Sequence, residues 1–268
     1  MRVDATRTEP RSPPAAVVVV AAVAMLIFTV PLVGLLERAP WSDLWRELTA
    51  HETRAALRLS IVCSLWSTAL AVLLGVPLAW VLARARFPGR ALARALTTLP
   101  MVLPPVVGGL ALLLAFARDG LVGRWLHDGL GIQLTYSTAG AVLAETFVAM
   151  PFLVVTVEAA LRSMDTRYED AAATLGARRW TVFRRVTLPM IAPSLAAGAA
   201  LSWARALGEF GATIMFAGNI SGRTRTMPLA VFTALETRPQ GAIALSLVLL
   251  AVSLVVLVLL RHRWLGSA

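Results

Sequence analysis

Six stretches of this chain, near residues 15–36, 56–82, 91–116, 138–160, 191–216 and 241–260, are apolar over the length a helix needs to cross a bilayer, about 20 residues. Hydrocarbon offers a peptide group no partner, so such stretches must be helices that satisfy their own N–H and C=O groups. The chain therefore reads as an all-α integral membrane protein with six transmembrane helices. Composition agrees: 58% of its 268 residues are hydrophobic and only 15% charged, where a soluble domain carries about a quarter charged. The third run holds LPMVLPPVVGG, in which Pro100, Pro104 and Pro105 break the helical hydrogen-bond ladder. Hydrocarbon tolerates this only where neighbouring helices or a water-lined cavity satisfy the freed groups, so a packed bundle is expected. Arg2, Arg7 and Arg11 precede the first run and Ala22-Val23-Ala24 mimics a cleavage site. That site lies inside a run longer than a signal peptide's apolar core, so the run reads as an uncleaved anchor.

Orientation follows from the basic residues in alternate loops. Arg2, Arg7, Arg11, Arg84, Arg86, Arg90, Arg94, Arg162, Arg167, Arg178, Arg179, Arg184, Arg185, Arg261 and Arg263 fall on one side. Arg38, Arg46, Arg54, Arg118, Arg124, Arg223, Arg225 and Arg238 fall on the other, with Arg58 and Arg205 inside the spans. The richer side, with both termini, is expected to be cytoplasmic. The net charge of +10 is then loop charge, and a nucleic-acid partner is not expected. Cys63 is the single cysteine, which excludes an intrachain disulfide or a thiolate metal cluster. His51, His127 and His262 lie far apart and read as loop or tail residues, so no metal site is expected. Every basic residue is arginine. A phosphate-binding loop of the G-x-x-x-x-G-K-[ST] type needs a lysine, so this chain cannot supply one. No nucleophile–base constellation stands out, and no catalytic site is expected.

The polar stretch YEDAAATLGARRWTVFRRVTLP, residues 168–189, stands out against this background. Thr166 and Glu169 fit a capping box that starts a helix. Tyr168, Ala171, Ala172 and Leu175 then recur at helical spacing as one apolar stripe. Gly176 breaks the helix, and a second phase follows with Trp180, Phe183 and Val186 along one side. Leu188-Pro189 is expected to end that element before the fifth span. An amphipathic basic segment of this kind suits either anionic lipid headgroups or a cytoplasmic protein partner.

Asp170-Ala171-Ala172, three residues, Gly176, nine residues, then Val186-Thr187-Leu188-Pro189 resembles the EAA loop of ABC-importer permeases. The family pattern is E-A-A, three residues, G, nine residues, I-x-L-P. Asp170 stands for its Glu and Val186 for its Ile, and Glu169 is the acid in use if the register slips by one. The resemblance implies a type I ABC-importer permease fold whose cytoplasmic coupling helix, about residues 165–189, seats in a cleft of a separate ATPase. Its site residues would be Glu169, Asp170, Ala171, Ala172, Gly176, Val186, Leu188 and Pro189.

A second stretch, Ala204 to Phe232, places Arg205 and Glu209 in a span at i, i+4 spacing, where they can pair. They either fix packing or gate a pathway. Gly208 and Gly211 would let helices approach closely, and Thr213 and Asn219 could donate to an oxyanion. The residues Gly208-Glu209-Phe210-Gly211-Ala212-Thr213, Phe216, Gly218-Asn219, Gly222, Thr224-Arg225-Thr226 and Pro228, with FPGRAL at 87–92 and LPMVLPPVVGG at 99–109, are similar to the signature of molybdate permeases. The resemblance covers about residues 55–260. It implies Arg205, Glu209, Thr213 and Asn219 as pathway or gate candidates, and Arg223, Thr224, Arg225 and Thr226 as a loop toward a binding protein. Glu158 reads as solvated at the end of the fourth span, whereas Glu145 within it needs a partner that the sequence does not name.

The organisation expected is a cytoplasmic tail, first transmembrane helix and extracytoplasmic loop over 1–54, a permease domain over 55–260, and a cytoplasmic tail over 261–268. The function implied is the permease subunit of an ATP-driven, binding-protein-dependent importer for molybdate, and also tungstate, working by alternating access in a bacterial inner membrane. The alternative is a sulfate/thiosulfate importer permease, and a more distant one is a secondary anion carrier. Implied partners are a second permease copy, an ATPase dimer that uses ATP-Mg, an extracytoplasmic molybdate-binding protein and the lipid bilayer. The chain itself is expected to bind no cofactor.

Overall fold

The computed structural model describes residues 14–264, and all regular structure among them is helical. The tail arginines Arg2, Arg7 and Arg11 and the last four residues lie outside the described part. In chain order the helices are α1 (Ala15–Glu37), α2 (Leu44–Thr49), α3 (His51–Arg84), α4 (Arg90–Val102), α5 (Pro105–Phe116), α6 (Gly123–Leu130) and α7 (Thr138–Ser163). Then come α8 (Arg167–Thr174), α9 (Arg179–Val182), a π turn (Phe183–Thr187), α10 (Leu188–Leu207), α11 (Gly211–Phe216), α12 (Met227–Thr237) and α13 (Pro239–Trp264). His51 and His127 thus sit on α3 and α6 rather than in loops.

Five helical segments are long and apolar enough to cross a membrane, and a bent pair makes a sixth candidate. That pair is the third run read from sequence, and its path bends by 119° between α4 and α5 at Leu103-Pro104. Pro104 and Pro105 have no N–H to continue the ladder, and Pro105 begins α5, where a missing N–H costs nothing. The fifth span also differs from expectation. Its helix ends at Leu207, and α11 starts four residues later after a short non-helical break. The buried Glu209 carboxylate satisfies that new helix, its Oε1 accepting from the Ala212 N–H at 2.7 Å.

The core is the packing of α3, α7 and α10 on one another. Val76, Ala79 and Leu82 of α3 meet Leu153, Val154, Val157 and Leu161 of α7 and Ile191 of α10 in one buried cluster. Small residues let these helices close up, as bilayer-embedded bundles require. A Cβ on Gly198 would stand 3.3 Å from the Leu153 Cα. The α5–α11 contact is tighter still, because a Cβ on Gly109 would meet the Ala212 Cα at 2.8 Å and one on Gly211 the Pro105 Cβ at 2.9 Å. Gly208, by contrast, is exposed and mediates no close approach. At 34 residues, α3 is about 51 Å long at 1.5 Å per residue, more than the ~30 Å of hydrocarbon. Its two ends therefore reach the two polar regions described next.

Candidate functional site

At the Arg84 end of α3, α8 forms the projecting element. Its start is not the expected capping box: Thr166 has helical backbone angles and makes no side-chain cap bond. Asp165 does that work instead, accepting from the Arg167 N–H at 2.9 Å. Glu169 is consequently free to turn inward. Its Oε1 accepts from the Thr187 hydroxyl at 2.6 Å, and Arg84 lies 3.3 Å from its Oε2 as an ion pair without hydrogen-bond alignment. One carboxylate therefore ties α8 to the end of α3 and to the π turn that leads into α10.

Asp170, one residue on, is exposed. The structure thereby separates the two acids that the sequence left in competition: Glu169 faces the bundle and Asp170 faces outward. Tyr168 and Leu175 of the apolar stripe are 58% and 88% exposed, and Ala171 is exposed beside them. The end of α8 is a Schellman turn: Gly176, at φ 82°, donates to the Ala173 carbonyl at 2.9 Å and Ala177 to that of Ala172 at 3.1 Å. An L-residue resists this positive φ, so Gly176 sets the turn.

The second phase does not end at Leu188-Pro189. Instead α9, the π turn and α10 run on as one helical rod over 179–207. Pro189 cannot donate to a residue one turn back, and the widened turn absorbs the mismatch, Leu188 N–H bonding to the Phe183 carbonyl. Val186 is half-buried and Thr187 buried, while Trp180 is 70% exposed and stacks on Phe183 at 5.6 Å. Sequence reasoning missed Arg84 and Thr187 as partners of Glu169. Thr187 occupies the variable position of the I-x-L-P pattern, where its hydroxyl drew no notice.

Glu158 is also a correction, since it is buried rather than solvated. It pairs with Arg94 of α4 and lies 3.7 Å from Arg162. Arg94 and Arg90 also donate to the Leu82 carbonyl, at 3.3 and 2.8 Å, fastening α4 to the end of α3.

Toward the other end, Arg205 and Glu209 do pair, at 2.5 Å, with Glu209 only 1% exposed. Glu145 of α7 is equally buried and lies within Coulombic range of Glu209. The partner expected for it is missing among the described residues, where its Oε2 has no hydrogen bond. Thr213 is fully buried on α11 with its hydroxyl also unpartnered. Asn219 does not join this group. Its Oδ1 accepts from Arg225 Nε at 2.8 Å and its amide donates to Thr233 at 2.9 Å, which locks the loop against α12.

The loop residues divide as well. Arg223 is exposed and Arg225 half-buried, but Thr224 and Thr226 are buried. Thr224 accepts from the Ile220 N–H at 2.8 Å, and Ser60 of α3 from the Met227 N–H at 2.7 Å. Thr224 thus shapes the loop, the Thr226 hydroxyl has no hydrogen bond among the described residues, and both are buried away from any partner's surface.

Residues 71–266 match the family described as binding-protein-dependent transport system inner membrane component. Among curated relatives, the molybdenum transport system permease protein ModB of Mycobacterium tuberculosis is 50% identical over 238 residues, 88% of this chain and 89% of the relative. The sulfate transport system permease protein CysT of Escherichia coli is 40% identical over 236 residues, 87% of this chain and 85% of the relative. Among solved structures, a bacterial ABC transporter involved in the import of the acidic polysaccharide alginate superposes with a TM-score of 0.76. It covers 93% of each chain at 19% identity, a likeness of fold alone.

Proposed function

Because the chain belongs to the binding-protein-dependent transport system inner membrane components, we propose that it forms the transmembrane pathway through which an ABC importer moves molybdate. It is an ABC-importer permease subunit and multi-pass membrane protein, and such subunits are not enzymes themselves. The observation that carries the substrate is the 50% identity to a molybdenum permease over most of both chains, against 40% to a sulfate permease. The sulfate likeness supports the second reading, a sulfate or thiosulfate permease. Tungstate, as a tetrahedral dianion like molybdate, should share the path.

The proposed mechanism is alternating access driven from outside the chain. The permease domain spans residues 55–260, two copies enclose the path, and both termini face the cytoplasm of a bacterial inner membrane. An ATPase dimer, using ATP-Mg, seats α8 through Asp170, Ala171 and the exposed Tyr168 and Leu175. Glu169 transmits its movement, since the same carboxylate holds Arg84 of α3 and Thr187 at the root of α10. An extracytoplasmic binding protein delivers the anion, with the exposed Arg223 and the half-buried Arg225 the candidates to meet it. The Arg205–Glu209 pair, beside Glu145 and Thr213, is the candidate gate. Glu209 holds the start of α11 and Arg205 the end of α10, so opening the pair would free the break between them.

The test is radiolabelled molybdate uptake by cells carrying the complete transporter, competed with excess tungstate and then with excess sulfate. Strong competition by tungstate and weak competition by sulfate is expected. The reverse order would move the assignment to sulfate.

A further inference from the structure

Beside the root of α10 lies an open recess of about 260 Å³ between α3 and the α9–π segment, lined by Pro77, Trp80, Val81, Arg179, Trp180 and Phe183. Phe183 joins its two sides, stacked on Trp180 at 5.6 Å and set edge-on to Trp80 at 6.4 Å. Pro77, Val81 and Trp180 leave their apolar surfaces exposed. One cation, Arg179, stands at its rim, and the neighbouring Arg178, Arg184 and Arg185 are exposed too. Among the described residues none of these four has an acidic partner within 4.0 Å, unlike Arg84, Arg94 and Arg162 close by.

Depth decides what can occupy this recess. α3 ends at Arg84, so Val81 and Pro77 lie about 4.5 and 10.5 Å inside that end at 1.5 Å per residue. Centred on ~30 Å of hydrocarbon, the roughly 51 Å of α3 would leave about 10 Å beyond each face, which sets Pro77 and Val81 at the level of the headgroups and the acyl boundary, where tryptophan rings are enriched and arginines reach phosphate. At that level the neighbours of an integral membrane protein are phospholipids, whereas a soluble protein docked on the exposed α8 would approach from beyond the headgroups. We infer that this recess is a binding site for an anionic phospholipid, its headgroup held by Arg179 and its acyl chain laid along Pro77, Val81, Trp80 and Trp180. The recess adjoins the root of α10, so the lipid would brace the segment through which α8 moves the bundle. The orientation proposed above matters only to which leaflet supplies the lipid.

The test is tryptophan quenching in nanodiscs that hold the full permease–ATPase complex in phosphatidylcholine, doped with brominated phosphatidylglycerol or brominated phosphatidylcholine. Brominated phosphatidylglycerol should quench more strongly, and replacing both recess tryptophans, Trp80→Phe with Trp180→Phe, should remove most of that excess. Arg179→Gln should weaken the preference about fivefold, the contribution of one basic residue near an anionic surface, and Arg179→Lys should keep it. Arg167→Gln, which removes an exposed charge on α8 away from the recess, should leave it intact. Equal loss in Arg167→Gln would reduce the effect to diffuse surface charge and overturn the site. So would an excess that survives replacement of both Trp80 and Trp180, or one seen with the permease alone and abolished by the ATPase, which would give the recess to the ATPase. Thermal melting of each variant confirms folding, and Arg179→Lys keeps the comparison decisive if the Gln variant melts early.

Discussion

Substitution of Gly176 probes the proposed docking role of α8 with the fewest side effects. Its φ of 82° lies where L-residues pay a steric cost, and a Cβ placed there would meet nothing within 4 Å. The cost of Gly176→Ala is therefore purely conformational, about 1–2 kcal/mol. If the ATPase recognises α8 only with its Schellman turn formed, that cost becomes a roughly 5–30-fold loss of affinity. Gly176→Asn should lose less, because Asn visits the left-handed region more readily. Gly176→Pro should lose binding altogether. It fixes φ near −65° and removes the N–H that donates to Ala173 at 2.9 Å. The assay is affinity capture of the ATPase by detergent-solubilised permease, titrated across the four proteins, with thermal melting alongside. Melting should stay unchanged, since Gly176 is exposed and distant from the α3–α7–α10 core. Full affinity in Gly176→Ala, or an order in which Asn binds worse than Ala, would refute the reasoning.

Five further substitutions have outcomes that follow from the same geometry. Asp170→Arg should abolish ATPase capture, while Glu169→Ala should leave capture largely intact and lower transport-coupled ATPase stimulation, measured in proteoliposomes. Arg205→Ala should reduce uptake more than assembly. Glu209→Gln should also destabilise the protein, by about 3 kcal/mol, the low end for a broken buried pair because Arg205 stays 27% exposed; differential scanning fluorimetry in detergent reads it. Gly109→Ala should cost about 1–3 kcal/mol, since its Cβ would strike the Ala212 backbone at 2.8 Å and a helix must shift.

The apolar runs made the helical bundle legible because bilayer physics leaves a chain no other choice. Where the sequence misled, a single side chain had taken over a backbone's role. Glu209 starts a new helix inside what reads as one apolar run, because its carboxylate supplies the cap that hydrocarbon cannot. Asp165 displaced Thr166 as the cap of α8, and spacing alone does not rank two adjacent capping residues. Pro189 looked like a terminator, but a π turn lets a helix carry proline through by shifting the ladder one residue. Glu158 looked solvated because its partner Arg94 lies 64 positions away. The helix–turn–helix over 167–187 was legible for the opposite reason: its stripe, its glycine and its spacing are all local. The gate candidates were only half legible, since Arg205 and Glu209 pair at i, i+4 spacing but the fold alone brings Glu145 of α7 near Glu209.

The central claim is that this chain is a pathway moved by a separate ATPase. It is tested most directly by molybdate uptake into proteoliposomes containing the permease, the ATPase and the binding protein. Uptake is expected with ATP, and none when the ATPase carries an alanine in place of its phosphate-binding lysine, whatever ion gradient is imposed. Uptake driven by an ion gradient through the permease alone would contradict it.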